Sequence, residues 1–506
     1  MQKLIKLLQG KLFVIVVIVI SIFSFFRMLR PGIYSMQDFH LFRLFQFDKC
    51  VKVLEIPCRW APDAGMGYGE PVFNFYGQLS YVFGEVFYLS GFSLIDSLKI
   101  VFIISLVGSF SSMYFLAKRI WGSNLSGFLS ATLYLYAPYR AIDVWVRGAL
   151  PESLSFVFFP LIILFVDKFI EKRKLRDLLL FSFFTALLII NHNLSFVMFL
   201  PFLVGWILFK LMVYKSFKTT LKVGFGFVGS LLLSSFYILP VIFESKYVDL
   251  ISTTIGYFDF RGHFATINQL LFSNFWGYGG SVFGPEDGLS LSVGYMQWIV
   301  PLIALGLILV KKSIKSYKNF LLILLIGWFY LLMTHNKSTF IWESIPGMAY
   351  IQFPWRFVGM ATFCFSLSSG LLISLFSQRY KIILSLILIV LSIGINTQFF
   401  RGDIWYPVSD SYFTTGEEWD RQRSASIRDF WPKFGHEIPN KISDGTYINY
   451  FPGWVSSSPS EKGLILSEGA RFTNTPVRTI GNTISLISLF IFGYLFIVEK
   501  KWKEKA

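Results

Sequence analysis

The sequence predicts an all-α polytopic membrane protein of about twelve transmembrane helices, with a small β-containing module on one face. Three observations lead there. The chain is 54% hydrophobic and 15% charged, with 58 Phe in 506 residues, too apolar and too aromatic for a soluble protein. Apolar runs close to the roughly 20 residues that cross a hydrocarbon core about 30 Å thick recur along the chain. Between them, Lys and Arg gather in short connectors that alternate with long, polar loops.

The runs fall at 12–30, 93–117, 124–138, 152–168, 178–192, 194–213, 222–240, 291–310, 319–334, 355–377, 382–398 and 480–498. The first is followed by Arg27, Arg30 and Pro31 with no small-residue cleavage pattern, so it reads as a retained helix rather than a signal peptide. The segments 124–138 and 178–192 are short for spans.

The net charge of +16 is a topology signal. Its cations crowd into 1–11, 118–123, 167–177, 210–222, 311–318, 379–381 and 499–506, while the remaining loops hold most of the acids. Short Lys/Arg-rich loops stay on the cytoplasmic side. Both termini are therefore expected to be cytoplasmic, in the cell (inner) membrane, and no nucleic-acid partner is implied. Of three cysteines, Cys50 and Cys58 share the first outer loop, where a disulfide is permitted by compartment.

The long segments 31–92, 139–151, 241–290, 335–354 and 399–479 then face one side and carry the chemistry. Residues 72–92 read as an amphipathic or re-entrant helix. Within 399–479, Tyr447–Trp454 and Gly463–Leu466 read as short strands with turns between them. The expected organisation is a membrane domain at 1–398, an outer module at 399–479, and a last helix with a cytoplasmic tail at 480–506.

Asp38, His40 and Arg43 stand just after the first run, where ionisable groups are costly unless solvated or paired. They can cap a helix and meet lipid headgroups, or form a site in which a carboxylate works as a general base. Arg140, Asp143, Arg147 and Glu152 lie in the second outer loop, and Arg suits phosphate recognition through its bidentate fork. The alternative is ion pairing within the loop. Arg356 starts the tenth run within Phe353-Pro354-Trp355-Arg356, to snorkel or to hold a lipid phosphate. Asn191-His192-Asn193 reads as a plain polar turn. No nucleotide-binding glycine loop, Gly-x-Ser-x-Gly or His-Glu-x-x-His is present. Chemistry on the outer face without nucleotide needs a substrate already activated and delivered in the membrane, and lipid-phosphate-linked sugar is the obvious class.

Several motifs together resemble a known family. They are Asp38-x-His40-x-x-Arg43, Pro57-x-Arg59-Trp60-x-Pro62, Gly67-Tyr68-Gly69-x-Pro71-x-Phe73-Asn74-Phe75-Tyr76, Ala137-Pro138-Tyr139-Arg140, Val146-Arg147-Gly148-Ala149-x-x-Glu152, Phe353-Pro354-Trp355-Arg356 and Tyr450-Phe451-Pro452-Gly453-Trp454. They look like the bacterial membrane proteins labelled "6-pyruvoyl-tetrahydropterin synthase-related". The pterin chemistry in that label uses a histidine-bound zinc. The five His here, at 40, 192, 263, 335 and 436, show no ligand pair at helical spacing, so that activity is not expected.

The family in turn is similar to GT-C glycosyltransferases, which implies a polyprenyl-phosphate-linked sugar donor and transfer on the outer face. The family-level acid maps onto Asp38, and a second acid onto Asp143 or Glu152. On a transfer reading, substrate contacts are expected from His40, Arg43, Arg59, Trp60, Tyr68, Arg140, Arg147 and Arg356. The first loop lacks a paired Asp-Asp or Asp-x-Asp, which leaves a divalent metal an open question. The expected function is transfer of a sugar from a polyprenyl-phosphate donor to an acceptor glycan, lipid or protein. The alternatives are a transporter of lipid or lipid-linked sugar, and a non-catalytic envelope-assembly scaffold.

Overall fold

Helix Phe357–Ser374 forms the axis of the structure, because its sequence offers the membrane nothing to anchor to and packs on all sides. All of 357–373 is buried, and Ser368 and Ser369 return their hydroxyls to the Phe365 carbonyl at 3.0 and 2.7 Å. Around it stand helices Leu94–Trp121, Asn124–Leu135, Tyr295–Lys311 and Tyr317–Met333. The computed structural model describes residues 2–311, 317–425, 430–434, 441–456 and 463–505.

Every one of the twelve expected runs contains a helix, but the count of twelve spans does not follow. By length and composition, seven helices among the described residues can cross a membrane. Two more spans result if each bent pair counts as one: Phe217–Leu233 with Ser235–Tyr247, bent by 73°, and Tyr317–Met333 with Asn336–Ser344, bent by 94°. Asn124–Leu135 has 12 residues and Leu175–Asn191 has 17. At a rise of about 1.5 Å per residue the first reaches only about 18 Å. Its buried side chains pack against Leu94–Trp121 and Phe357–Ser374, so protein rather than lipid covers it.

Local signals set the helix ends. Ser93 caps Leu94–Trp121 by accepting the Asp96 N–H at 3.0 Å, and Gly122 closes that helix in the left-handed region at φ 72°. Asp410, far along the chain, accepts the Leu94 and Ile95 N–H groups at 2.8 and 3.1 Å. It thus satisfies two orphan donors of the same helix and ties the 399–479 segment to the bundle. At the far end of that helix, Arg119 pairs with Asp167 at 2.6 Å and with Glu171, and Lys210 reaches Asp167 at 3.0 Å.

Three two-stranded antiparallel ladders lie at the Asp38 end. Ile33–Tyr34 pairs with Trp405–Tyr406, Tyr447–Asn449 with Leu464–Leu466, and Trp454–Val455 with Arg471–Phe472. The 399–479 segment is knitted to the first loop rather than set apart from it. Ile33 pairs with Tyr406, and the Asn449 N–H bonds to the Tyr68 carbonyl at 2.8 Å. Cys50 and Cys58 are joined in a disulfide across this loop.

A buried polar knot fixes the last helix, Pro476–Lys505. Glu244 accepts from Arg478 Nε at 2.9 Å and from Asn74 Nδ2 at 2.8 Å. Arg59 donates to the Phe236 carbonyl at 2.8 Å and to Asn482 at 3.0 Å. Glu244 and Arg478 are both essentially unexposed, so neither tolerates loss of its partner. Arg478→Ala should cost about 3–5 kcal/mol by stranding the Glu244 carboxylate. Thermal unfolding in detergent will show a clear drop in Tm, and Arg478→Ala combined with Glu244→Leu should recover part of it. An unchanged Tm for the single variant would contradict this.

Candidate functional site

A cavity of about 620 Å³ opens at the end of the bundle that holds the first loop. Its charged lining consists of Asp38, Arg43, Arg147, Glu152 and Arg356, with His192 beside them. The apolar part of its wall comes from segments after the bend at Ser234, among them Val241, Leu250 and Phe258, and from Phe353.

Asp38 sits between the strand Ile33–Tyr34 and the helix His40–Lys52. Its Oδ1 accepts the Phe39 N–H at 2.8 Å and Arg43 Nη1 at 2.8 Å, and its Oδ2 lies 3.1 Å from His40 Nε2. The carboxylate also stands at the positive end of the helix dipole. Burial pushes its pKa up, but Arg43 above all, with the Phe39 N–H, outweighs this and holds it well below the usual carboxylate range. The Arg43 guanidinium lies over the Tyr76 ring at 4.4 Å, which fixes its direction.

His40 is fully buried. Burial lowers its pKa, so the ring is neutral in the resting state. Nδ1 lies 2.7 Å from Tyr81 Oη, and Nε2 accepts the Leu150 N–H at 3.1 Å. In that tautomer the one lone pair of Nε2 is taken by the Leu150 N–H, and Asp38 Oδ2 packs beside the ring.

The 142–149 segment supplies the second half. A π-turn at Ile142–Val146 and Gly148 at φ 65° swing the backbone against 36–38. There the Asp38 N–H bonds to the Arg147 carbonyl at 3.1 Å and the Gln37 N–H to the Val146 carbonyl at 3.3 Å. A Cβ on Gly148 would lie 2.7 Å from Met36 Cβ, so the approach needs glycine. Arg147 Nη1 donates to Asp143 at 2.6 Å and to Glu152 at 3.0 Å, while its guanidinium lies over Trp355 at 4.8 Å. Glu152 also accepts from Tyr139 Oη at 2.5 Å, and Arg356 Nε stands 4.0 Å from it. Burial, and then repulsion by Glu152, raise the Asp143 pKa well above its ordinary value. Three Arg and two carboxylates line the cavity itself, so it favours an anion.

The expected residues divide by position. Asp38, Arg43, Arg147, Glu152 and Arg356 share the cavity, and His40 backs Asp38. Asp143 is buried behind Arg147. Arg140 does not line the cavity: it is fully buried, donates to the Ser153 carbonyl at 3.2 Å and covers the Phe156 ring at 4.1 Å. Arg59 and Trp60 line a separate cavity of about 910 Å³ with Trp454 and Phe472. Tyr68 is absent from the lining of the Asp38 cavity.

His192, which the sequence presents as part of a plain turn, does line it, as do Asn193, Tyr76 and Gln352. Burial pushes the His192 pKa down to about 4. The only sequence signal for His192 is a histidine directly following an apolar run. Among the described residues, no three His, Cys, Asp or Glu side chains gather to hold a metal, and each acid of the cavity is already matched by an arginine. These donors do not fit a divalent cation.

Comparison with known proteins adds to this geometry. Residues 73–400 match the sequence model described as "6-pyruvoyl-tetrahydropterin synthase related domain; membrane protein". A protein of Lactococcus lactis subsp. cremoris (strain MG1363) with no assigned function is 26% identical over 244 residues, which is 46% of this chain and 40% of that one. Among solved structures, the mycobacterial arabinofuranosyltransferase AftD (mutant R1389S, class 2) aligns over 78% of this chain with a TM-score of 0.51 and 14% identity. The fold is thus GT-C-like, and the chain spans only 28% of the length of that enzyme.

The site's electrostatics can be checked without any substrate. A carbodiimide modifies only protonated carboxyls, so Asp38 should stay unmodified at about pH 5 in the wild type. Arg43→Gln removes the strongest influence holding its pKa down, so modification of Asp38, mapped by mass spectrometry, should appear at that pH. Equal labelling of the two proteins would contradict the assignment.

Proposed function

Because the chain belongs to the 6-pyruvoyl-tetrahydropterin synthase related family of membrane proteins, we propose a function in terms of its GT-C-like fold rather than the pterin chemistry of the family's label. It transfers a sugar from a polyprenyl-phosphate donor to an acceptor on the outer face of the cell membrane. One observation carries this reading: a carboxylate and a cationic wall, joined by the Asp38–Arg147 backbone bond, face the same cavity. The concentration of Lys and Arg in the short connectors supports placing that cavity outside and both termini in the cytoplasm.

The chemistry follows from the positions. Asp38 Oδ2 takes the proton of an acceptor hydroxyl as the new C–O bond forms. The hydroxyl proton becomes acidic as its oxygen gains positive charge during attack, so a carboxylate held at low pKa suffices to take it. The acceptor oxygen bonds to the anomeric carbon as the bond to the phosphate oxygen breaks, and that electron pair leaves with the lipid phosphate. Attack opposite the leaving group inverts the anomeric centre. Arg147 and Arg356 meet the charge growing on the phosphate. Glu152 and Asp143 hold Arg147 in place, and Arg43 keeps Asp38 ionised. The apolar wall around Val241, Leu250 and Phe258 receives the first isoprene units.

A transporter would need polar groups lining a path across the bilayer. The ion pairs instead collect at the two ends of the bundle, Arg119–Asp167–Lys210 at one and the Asp38 cavity at the other. The test is mass spectrometry of lipids that co-purify in detergent, followed by turnover with that donor. The wild type should carry a prenyl-phosphate sugar, and Arg147→Gln with Arg356→Gln should lose it. Asp38→Asn should keep the lipid and lower kcat by about 10²- to 10⁴-fold. A wild type free of such lipid, or full turnover by Asp38→Asn, would overturn the assignment.

A further inference from the structure

Asp38 lines two cavities, not one. Beyond it, away from Arg147 and Arg356, lies a smaller space of about 260 Å³. Its floor is the strand Ile33–Tyr34, and its far wall comes from 399–479 through Tyr406, Tyr412, Phe413, Glu418 and Arg421. Ladder pairing of Ile33 with Tyr406 holds that wall, and Asp410 clamps it to the start of Leu94–Trp121. Neither arginine of the phosphate wall lines this space.

The lining has a recognisable chemistry. Tyr412 and Phe413 meet edge to face at 5.0 Å and present ring surface. Arg421 makes a two-pronged bond to Glu418, Nε to Oε2 at 2.7 Å and Nη2 to Oε1 at 2.6 Å. Its guanidinium covers the ring of Phe39, next in sequence to Asp38, at 5.3 Å. Gln422 Nε2 donates to Glu418 Oε1 at 3.2 Å and thereby stiffens the same group. Aromatic faces beside fixed planar donors and acceptors suit a ring with apolar C–H faces and equatorial hydroxyls. The volume lies just below the usual range of small-molecule sites, too small for a lipid chain or a folded segment.

We propose that this second cavity is the acceptor site and that it binds a carbohydrate residue. The inference rests on the transfer reading above, because inversion requires nucleophile and leaving group on opposite sides of the anomeric carbon. Asp38 and Phe39 form the wall common to both spaces, and Asp38 carries its one base, which places that base where the acceptor hydroxyl and the anomeric carbon meet. The acceptor is then a glycan terminus, with Tyr412 and Arg421 as specificity-determining residues. The proton passes from its hydroxyl to Asp38, and the new glycosidic bond replaces the sugar–phosphate bond.

The test uses the full chain in detergent on a printed array of defined oligosaccharides, with co-purified lipid measured on the same preparations. The wild type should retain a restricted set of glycans. Tyr412→Ala and, as a second variant less prone to disturb packing, Arg421→Gln should each weaken that binding at least about tenfold, the loss expected for one charged hydrogen bond or one ring contact. Both should keep the wild-type lipid content. A wild type that binds no glycan, or variants that bind as well as it does, would overturn the proposal. Glycan binding that depends on Tyr412 in a protein carrying no prenyl phosphate would keep the acceptor site and sink the donor reading. The converse pattern would do the opposite.

Discussion

Arg147 holds the site together. Its guanidinium neutralises carboxylates on two sides, Asp143 and Glu152, and its own carbonyl receives the Asp38 N–H. In a medium where an unpaired charge costs several kcal/mol, two buried acids this close cannot both stay ionised without it. The same residue therefore sets the charge of the cavity and the position of Asp38. Trp355 under the guanidinium and the glycine at 148 are the steric conditions for that placement.

The rest of the architecture can be understood as support for this junction. The first loop has no regular core of its own, and it is held from three directions. The ladder to Trp405–Tyr406 fixes its start, the disulfide closes its middle, and the Arg59–Glu244–Arg478 knot anchors its end to the last helix. The bends of 73° and 94° turn the Ser235–Tyr247 and Asn336–Ser344 segments aside. Val241 and Ser245, beyond the first bend, and Gln352 and Arg356, which follow the second bent pair in the chain, reach the cavity rim.

Much of this was legible in the sequence, for reasons that can be named. Asp38, Arg43, Arg147, Glu152 and Arg356 all follow or precede apolar runs, and a charge at such a boundary announces itself. Arg140 and Arg59 carry the same signal yet serve packing, because a guanidinium that stacks on Phe156 or bonds to a backbone carbonyl has the same residue type as one facing a ligand. His192 was hidden by its polar neighbours. The count of twelve spans is not confirmed, because apolar run length cannot tell a helix wrapped in protein from one wrapped in lipid, as Asn124–Leu135 shows. The strands within 447–454 and 464–466 were visible in their aromatic and β-branched residues, but the bond of Asn449 to Tyr68 and the pairing of Ile33 with Tyr406 are long-range contacts that no local pattern encodes.

The most direct measurement is a structure of the protein in lipid nanodiscs loaded with a non-hydrolysable prenyl-phosphonate sugar. The account predicts phosphonate density within hydrogen-bond reach of Arg147 and Arg356, and the anomeric carbon turned toward Asp38 Oδ2 with open space behind it on the Tyr412 side. A phosphonate bound elsewhere, or an anomeric carbon turned away from Asp38, would contradict it.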